Sequence, residues 1–219
     1  MIKSNYIVYD TETGDLDPEV APITQYAAVI LDGVTFKEID RYETFLKPYA
    51  GLKINPKALA KTLVTMSDVN SGIDVKKFTK TVTQWWDMHN TNKMNKEFGR
   101  LIPVGHNVPF DNGFVQKALD VCGYGSQWQW LYPNFIDIFG LAKMTWGVDR
   151  ESKLNLGACC ERAGVKLIGA HGAMNDVEAT VDLFRWFMKR LRNGGSVSGG
   201  SVKSRKTGKD FFEFKCAKE

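Results

Sequence analysis

Tyr6-Ile7-Val8-Tyr9-Asp10-Thr11-Glu12, followed by Thr13-Gly14-Asp15-Leu16-Asp17-Pro18, is the stretch on which the fold turns. Its first half is a short apolar run ending in acids, the pattern of a buried strand whose carboxyl end carries function. The residues after it supply turn chemistry. Residues two apart on a strand share a face, so Asp10 and Glu12 project the same way. Carboxylates side by side repel one another unless a proton or a cation intervenes. Hard divalent ions such as Mg2+ and Mn2+ take oxygen ligands, so the pair can begin a metal site. Acids at strand ends are also common without one.

Outward from this strand, Ile23 to Leu31 reads as a second strand, Asp32-Gly33 as a hairpin signal, and Arg41 to Leu46 as a third strand stopped before Pro48. The spacing predicts helices over Pro56 to Val69 and over Val75 to Met88. His89 to Arg100, polar and rich in Asn and Lys, suits an exposed loop or helix end. Leu101 to Gly105 reads as a strand, Phe110 to Val121 as a helix, and Phe135 to Phe139 as a further strand. Leu154 to Ala163 reads as a helix ended by Gly164, a residue suited to the left-handed cap position. Ala173, Val177, Val181, Phe184, Met188 and Leu191 form the apolar stripe of a last helix. Three strands leading into alternating strands and helices indicate an α/β domain, a mixed β-sheet flanked by helices. After Asn193 the composition changes to GGSVSGGS and then KSRKTGKDFFEFKCAKE. This divides the chain into a domain over residues 1–192 and a flexible Gly/Ser linker with a basic, Phe-containing C-terminal tail over 193–219.

Two more acidic elements accompany the first. In GHNVPFDNGF, Asp111 falls in the opening turn of a helix, where an acid also complements the helix dipole. In HGAMND, Asp176 falls in the first turn of the last helix, and His171 stands on the loop before it. A histidine so placed is suited to act as general base on a water; an ordinary loop histidine is the plainer reading.

YDTETGD, GHNVPFDNGF and HGAMNDVEAT, in this order, resemble the three exonuclease motifs of the DnaQ-like 3′–5′ exonuclease superfamily, which has a ribonuclease H-like fold. The histidine in H-x-A-x-x-D matches the DEDDh branch. The resemblance spans roughly residues 5–190. LNLGACCERAGV resembles the helix and turn that precede the last motif, and Phe135-Ile136-Asp137-Ile138 the strand before it, where Asp137 has a mostly structural reading. Two departures stand out. The family often has T-T-G after the first acids, whereas this chain has Thr13-Gly14-Asp15, adding a charge. Lys53 to Val69 lacks the His-Gly pair often found there.

The resemblance implies a catalytic set of Asp10, Glu12, Asp111, His171 and Asp176, with the four acids holding two divalent ions, Mg2+ or its substitute Mn2+, about 4 Å apart. Asp10 would serve both ions, Glu12 and Asp176 one, and Asp111 the other. His171 would take the proton of the attacking water, releasing nucleoside 5′-monophosphates, and activity would rise with pH as the imidazole loses its proton. Leu16 stands where family members set an apolar side chain against the terminal base; Thr11, Thr13, Asn107 and Phe110 are the other expected substrate-binding residues. Packing in the core is the alternative for Leu16 and Phe110. The implied substrate is a single-stranded or frayed 3′ end, DNA before RNA. RNA 3′ trimming, oligonucleotide degradation and a non-catalytic nucleic-acid-binding module are the competing readings.

Bulk properties are compatible. The chain has 219 residues, 43% of them hydrophobic and 25% charged, as in soluble globular proteins. No apolar run is long enough for a membrane span, and the amino terminus has none of the parts of a secretory signal, so a cytoplasmic protein is expected. Four cysteines without a C-x-x-C pair, and three histidines, favour reduced thiols over a disulfide framework or structural zinc. From Lys189 onward nine Lys/Arg against three Asp/Glu give +6, leaving 4 − 6 = −2 on the rest. Proofreading subunits in the family hold a polymerase through a flexibly attached C-terminal segment. The tail here has that layout; a nucleic-acid-binding tail and a merely disordered end are the alternatives.

Overall fold

The fold is seen in a computed structural model that describes residues 4–92, 94, 98–147 and 153–192. Strand β1 (Tyr6–Thr13) lies in the middle of the sheet, and its two-residue alternation divides the core. Ile7 and Tyr9 enter one apolar cluster, while Val8 enters the other. β2 (Ile23–Leu31), buried along its whole length, pairs antiparallel with β1, and β3 (Glu38–Phe45) pairs antiparallel with β2. On the other side β4 (Ile102–Gly105) runs parallel to β1, and β5 (Ile136–Asp137) runs parallel to β4. The order is β3-β2-β1-β4-β5.

Helices α1 (Pro56–Leu59), α2 (Met66–Ser71), α3 (Val75–His89), α4 (Val108–Val121), α5 (Ile138–Trp146), α6 (Leu156–Ala163) and α7 (Ala173–Arg192) complete the chain. α3 and α4 cover the face that carries Ile7 and Tyr9, where Phe78 meets the ring of Tyr26 edge-on. α5, α6 and α7 cover the face of Val8, where Phe184 packs on Tyr6 and Phe36. Both faces of the sheet are therefore dry, which is why β2 needs no polar alternation.

Several boundaries differ from the sequence expectation. The segment expected as one helix over Pro56 to Val69 is two short helices. Between them the Thr62 hydroxyl donates to Leu59 O, and Val64 N–H donates to Thr62 Oγ1. Thr65 and Asp68 then start α2 with a reciprocal capping box. These side chains offer the backbone partners that a continuous helix would otherwise supply. Only Ile136–Asp137 of the strand expected at 135–139 is extended, because the Asp137 carboxylate accepts Phe139 N–H and caps α5. α4 begins two residues before its expected start, with Pro109 in its first turn, and β3 begins three residues earlier than expected. On α7, Phe187 is buried as well, whereas Leu191, one residue from the end of the helix, is exposed.

Gly164 is left-handed, as expected for a helix cap. Trp85 and Trp86 are buried, and Trp128, Trp130 and Trp146 pack partly against the two clusters. Cys122, Cys159 and Cys160 are free thiols, the latter two buried. Among the described residues no helix is long and apolar enough to cross a membrane. Part of the polar loop expected at 89–100, and the linker and tail at 193–219, lie outside the described residues.

Phe184 joins α7 to β1 through Tyr6, so Phe184→Ala is expected to cost about 3–5 kcal/mol. Urea unfolding would show this as a lower midpoint at nearly constant slope; a loss under about 1 kcal/mol would mean α7 is not held by this contact.

Candidate active site

The carboxyl ends of the parallel strands β1, β4 and β5 lie on one edge of the sheet, the usual position of ligand crevices in open α/β sheets. Asp10 and Glu12 leave β1 there, on the face covered by α7. Asp176 stands in the first turn of α7. Asp10, Glu12 and Asp176 each offer a carboxylate oxygen, and these atoms lie within 4.8 Å of one another. Such a group has the oxygen donors that a hard divalent cation takes.

Three fastenings hold it. Gln25 stands opposite Glu12 in the β1–β2 register; its Oε1 accepts Ala173 N–H at 3.2 Å, and its Nε2 donates to Glu43 at 2.7 Å. The amino end of α7 is thereby tied to the sheet. On the opposite face, Asp111 Oδ1 accepts the backbone N–H and hydroxyl of Thr11 at 2.9 and 2.7 Å. Tyr9 donates to Asn112, a second tie to α4. Asp111 is buried and stands beside the trio of carboxylates rather than within it.

His171 is on the exposed loop before α7 with φ near 70°, a left-handed conformation uncommon outside glycine. Its N–H donates to Asp176 Oδ2 at 3.3 Å, and its carbonyl accepts Leu63 N–H at 2.7 Å. The histidine loop is thus gripped by α7 on one side and the α1–α2 connection on the other.

A cleft of about 440 Å³ opens at this edge. Thr11, Glu12, Thr13, Leu16, Phe110 and His171 line it, which places six of the ten expected site residues around one space. Leu16 is 79% exposed, which removes core packing as its explanation. Phe110 is half-buried against Phe114. Asn107 caps α4 in a left-handed conformation, held by its own N–H on Asp137, and stands outside the cleft lining. His106 is fixed on the carbonyl of Leu154. Asp15, Asn55, Lys57 and Lys61 form much of the rest of the cleft wall, and of these only Asp15 belongs to a motif of the sequence. Gln25 and the lysine wall lie far from the motifs along the chain and had no local signal to reveal them.

Crowding shows in the acidities. Burial, then the charges of Asp111, Glu12 and Asp176, push Asp10 well above the ordinary carboxyl range. Burial, then Asp176 and Asp111, raise Glu12 to about 8. Burial raises Asp111 to about 7 even though the Thr11 hydrogen bonds pull it down. Asp176 is raised by burial, against the opposing influence of His171. Asp176 Oδ1 is buried without a hydrogen-bond partner. An orphaned oxygen among crowded carboxylates fits a divalent cation, which would supply both the missing partner and the missing charge.

The profile of the RNase_T family, described as an exonuclease, matches residues 7–184. The PolC-type DNA polymerase III of Staphylococcus aureus is 22% identical over 214 residues, covering 96% of this chain and 13% of the polymerase. Among solved structures, E. coli Exonuclease I in complex with a dT13 oligonucleotide matches with a TM-score of 0.70 at 20% identity, over 88% of this chain and 43% of that one. A zinc-bound form of the E. coli Exonuclease I–ssDNA complex matches with a TM-score of 0.72 at 19% identity, over 87% and 41%. At such identities the structural likeness establishes the shared fold. The chain spans about an eighth of the PolC relative and less than half of Exonuclease I.

Folded Glu12 keeps its proton up to about pH 8, whereas the ordinary value is 4.5. The folded chain therefore binds more protons than the unfolded one in that window, and stability falls as pH rises through it. In chelator, the thermal midpoint of Glu12→Gln relative to the unaltered chain is expected to climb between pH 4.5 and 8. Mg2+ or Mn2+ should raise the unaltered chain's midpoint most at the upper end. Parallel midpoint curves for the two proteins would contradict the crowding.

Proposed function

The chain belongs to the RNase_T exonuclease family, within the DnaQ-like 3′–5′ exonucleases, and we propose that it trims single-stranded or frayed DNA 3′ ends, releasing nucleoside 5′-monophosphates. One observation carries the reading: three carboxylates with oxygens within 4.8 Å, one of them lining a cleft that also receives His171. DNA is favoured over RNA because the relatives are a DNA polymerase and an exonuclease solved with a DNA oligonucleotide.

Asp10, Glu12, Asp111 and Asp176 would hold two divalent ions, Mg2+ with Mn2+ as substitute. When bound, these supply positive charge to the attacking and leaving oxygens of a phosphodiester. Within the chain, Asp10 would serve both ions, Glu12 and Asp176 would serve one, and Asp111 would serve the other. His171 accepts the proton of the attacking water as its oxygen bonds to phosphorus and the bond to the 3′ oxygen breaks. Loop strain and the two backbone bonds at His171 keep the imidazole at the cleft mouth. Exposed Leu16 offers an apolar surface to the terminal base, with Phe110 as a second wall and Thr11 and Thr13 lining the floor between them. In this reading residues 1–192 are the exonuclease unit of an intracellular enzyme. Residues 193–219 are a tether, which the PolC likeness suggests for a polymerase or another replication or repair partner.

The test is digestion of 3′- and 5′-labelled DNA and RNA oligonucleotides with Mg2+, Mn2+ or chelator. Stepwise 3′ shortening of DNA, stopped by chelator, is expected; faster loss of RNA would reassign the substrate, and no cleavage would leave only a binding module. Asp10→Ala and Asp176→Ala should abolish digestion in folded protein, whereas His171→Ala should lose about 10²–10⁴-fold and still bind metal. Wild-type rates in the histidine variant would remove its general-base role. Deleting residues 193–219 should spare cleavage of short oligonucleotides, and a collapse of that activity would make the tail part of the catalytic unit.

A further inference from the structure

Part of the cleft wall is built by Asn55, Lys57 and Lys61, which lie outside the catalytic motifs, together with Asp15 in the turn after β1. Asn55 Oδ1 accepts Lys57 N–H at 3.0 Å and caps α1, while its Nδ2 donates to Asp15 Oδ2 at 2.9 Å. Asn55 N–H also donates to Gly14 O at 2.8 Å. The wall is therefore fastened to the strand that carries Asp10 and Glu12. Gly14 permits the close approach, since a Cβ there would stand 3.1 Å from the Ile54 Cα. Lys57 and Lys61 rise from this wall, both exposed and both lining the same cleft as Glu12, Leu16 and His171. Among the described residues neither ammonium makes an ion pair. Hydrogen bonds from Asn55 and Leu16, and then the charge of Lys61, hold the Asp15 carboxyl below its ordinary range.

Charge distribution gives these lysines a use. Glu12 lines the cleft beside them with Asp10 and Asp176 grouped against it, and these acids repel a polyanion wherever no cation covers them. A strand whose terminal linkage reaches the carboxylates still has further phosphates to place, and among the described residues that line the cleft Lys57 and Lys61 carry the positive charge. We propose that Lys57 and Lys61 hold non-scissile phosphates upstream of the terminal nucleotide, so that the cleft selects chains of several linkages over a single phosphodiester. This rests on the exonuclease reading above. A lysine binds phosphate as a point charge, without reading the base, so the contact is independent of sequence and sensitive to salt.

The full chain with Mg2+ is compared on dT8 and on the p-nitrophenyl ester of thymidine 5′-monophosphate, which has one phosphodiester and no upstream phosphate. In the double variant Lys57→Ala/Lys61→Ala, KM for dT8 is expected to rise about tenfold with kcat nearly kept, and the slope of log affinity on log salt to shrink by about 1.4, at about 0.7 per contact. Turnover of the ester should not change, and Lys57→Arg/Lys61→Arg should restore KM. Anisotropy of labelled dT8 in chelator reads the same contacts without catalysis, and the double variant should bind about tenfold more weakly. An unchanged salt slope and affinity would show that the lysines are merely solvated and overturn the proposal. Equal losses on dT8 and the ester would overturn it too, placing them at the reacting phosphate or in the fold. If the unaltered chain cuts neither substrate, the exonuclease reading fails, and the anisotropy ratio still decides the lysine contacts.

Discussion

Asp10, Glu12 and Asp176 bring carboxylate oxygens within 4.8 Å of one another, an arrangement opposed both by Coulomb repulsion and by lost hydration. Unaided, three acids would splay toward water. The fold prevents this by taking two of them from one strand face, where the pleat fixes their direction. The third comes from a helix whose buried stripe, with Val177, Val181 and Phe184, leaves it little freedom to retreat. The raised pKa values of Glu12 and Asp10 are the trace of this compression.

Polar fastenings convert crowding into definite geometry. Thr11 points away from Asp10 and Glu12 because alternate residues of β1 face opposite ways, and it uses that direction to hold Asp111 by two hydrogen bonds. One strand thus presents acids on one side and the partner of a fourth acid on the other. Gln25 performs the matching task for α7, as it accepts a helix-start N–H that would otherwise be unpaired. These bonds are buried, so losing one leaves an unsatisfied group rather than a water-filled gap.

The mouth of the cleft is built differently. Leu16 and His171 are exposed, and His171 is held by its backbone while its side chain lines the cleft.

The sequence by itself determined the buried strand that ends in Asp10 and Glu12, the shared face of those two acids, the helix starts that carry Asp111 and Asp176, and the Gly164 cap. All of these follow from periods of two or 3.6 and from the chemistry of single residues. Tertiary structure alone decided that Asp111 stands beside the carboxylate trio, that Leu16 is exposed, that Asn107 lies off the cleft, and that Gln25, Lys57 and Lys61 surround the acids. It also cut the expected strand at 135–139 short and split the expected helix at 56–69, where capping bonds from Asp137, Thr62 and Thr65 prevailed over hydrophobic spacing. The physical reason is range: a repeat along the chain reports which way a side chain points, whereas its partner is fixed by contacts as distant as Thr11 and Asp111.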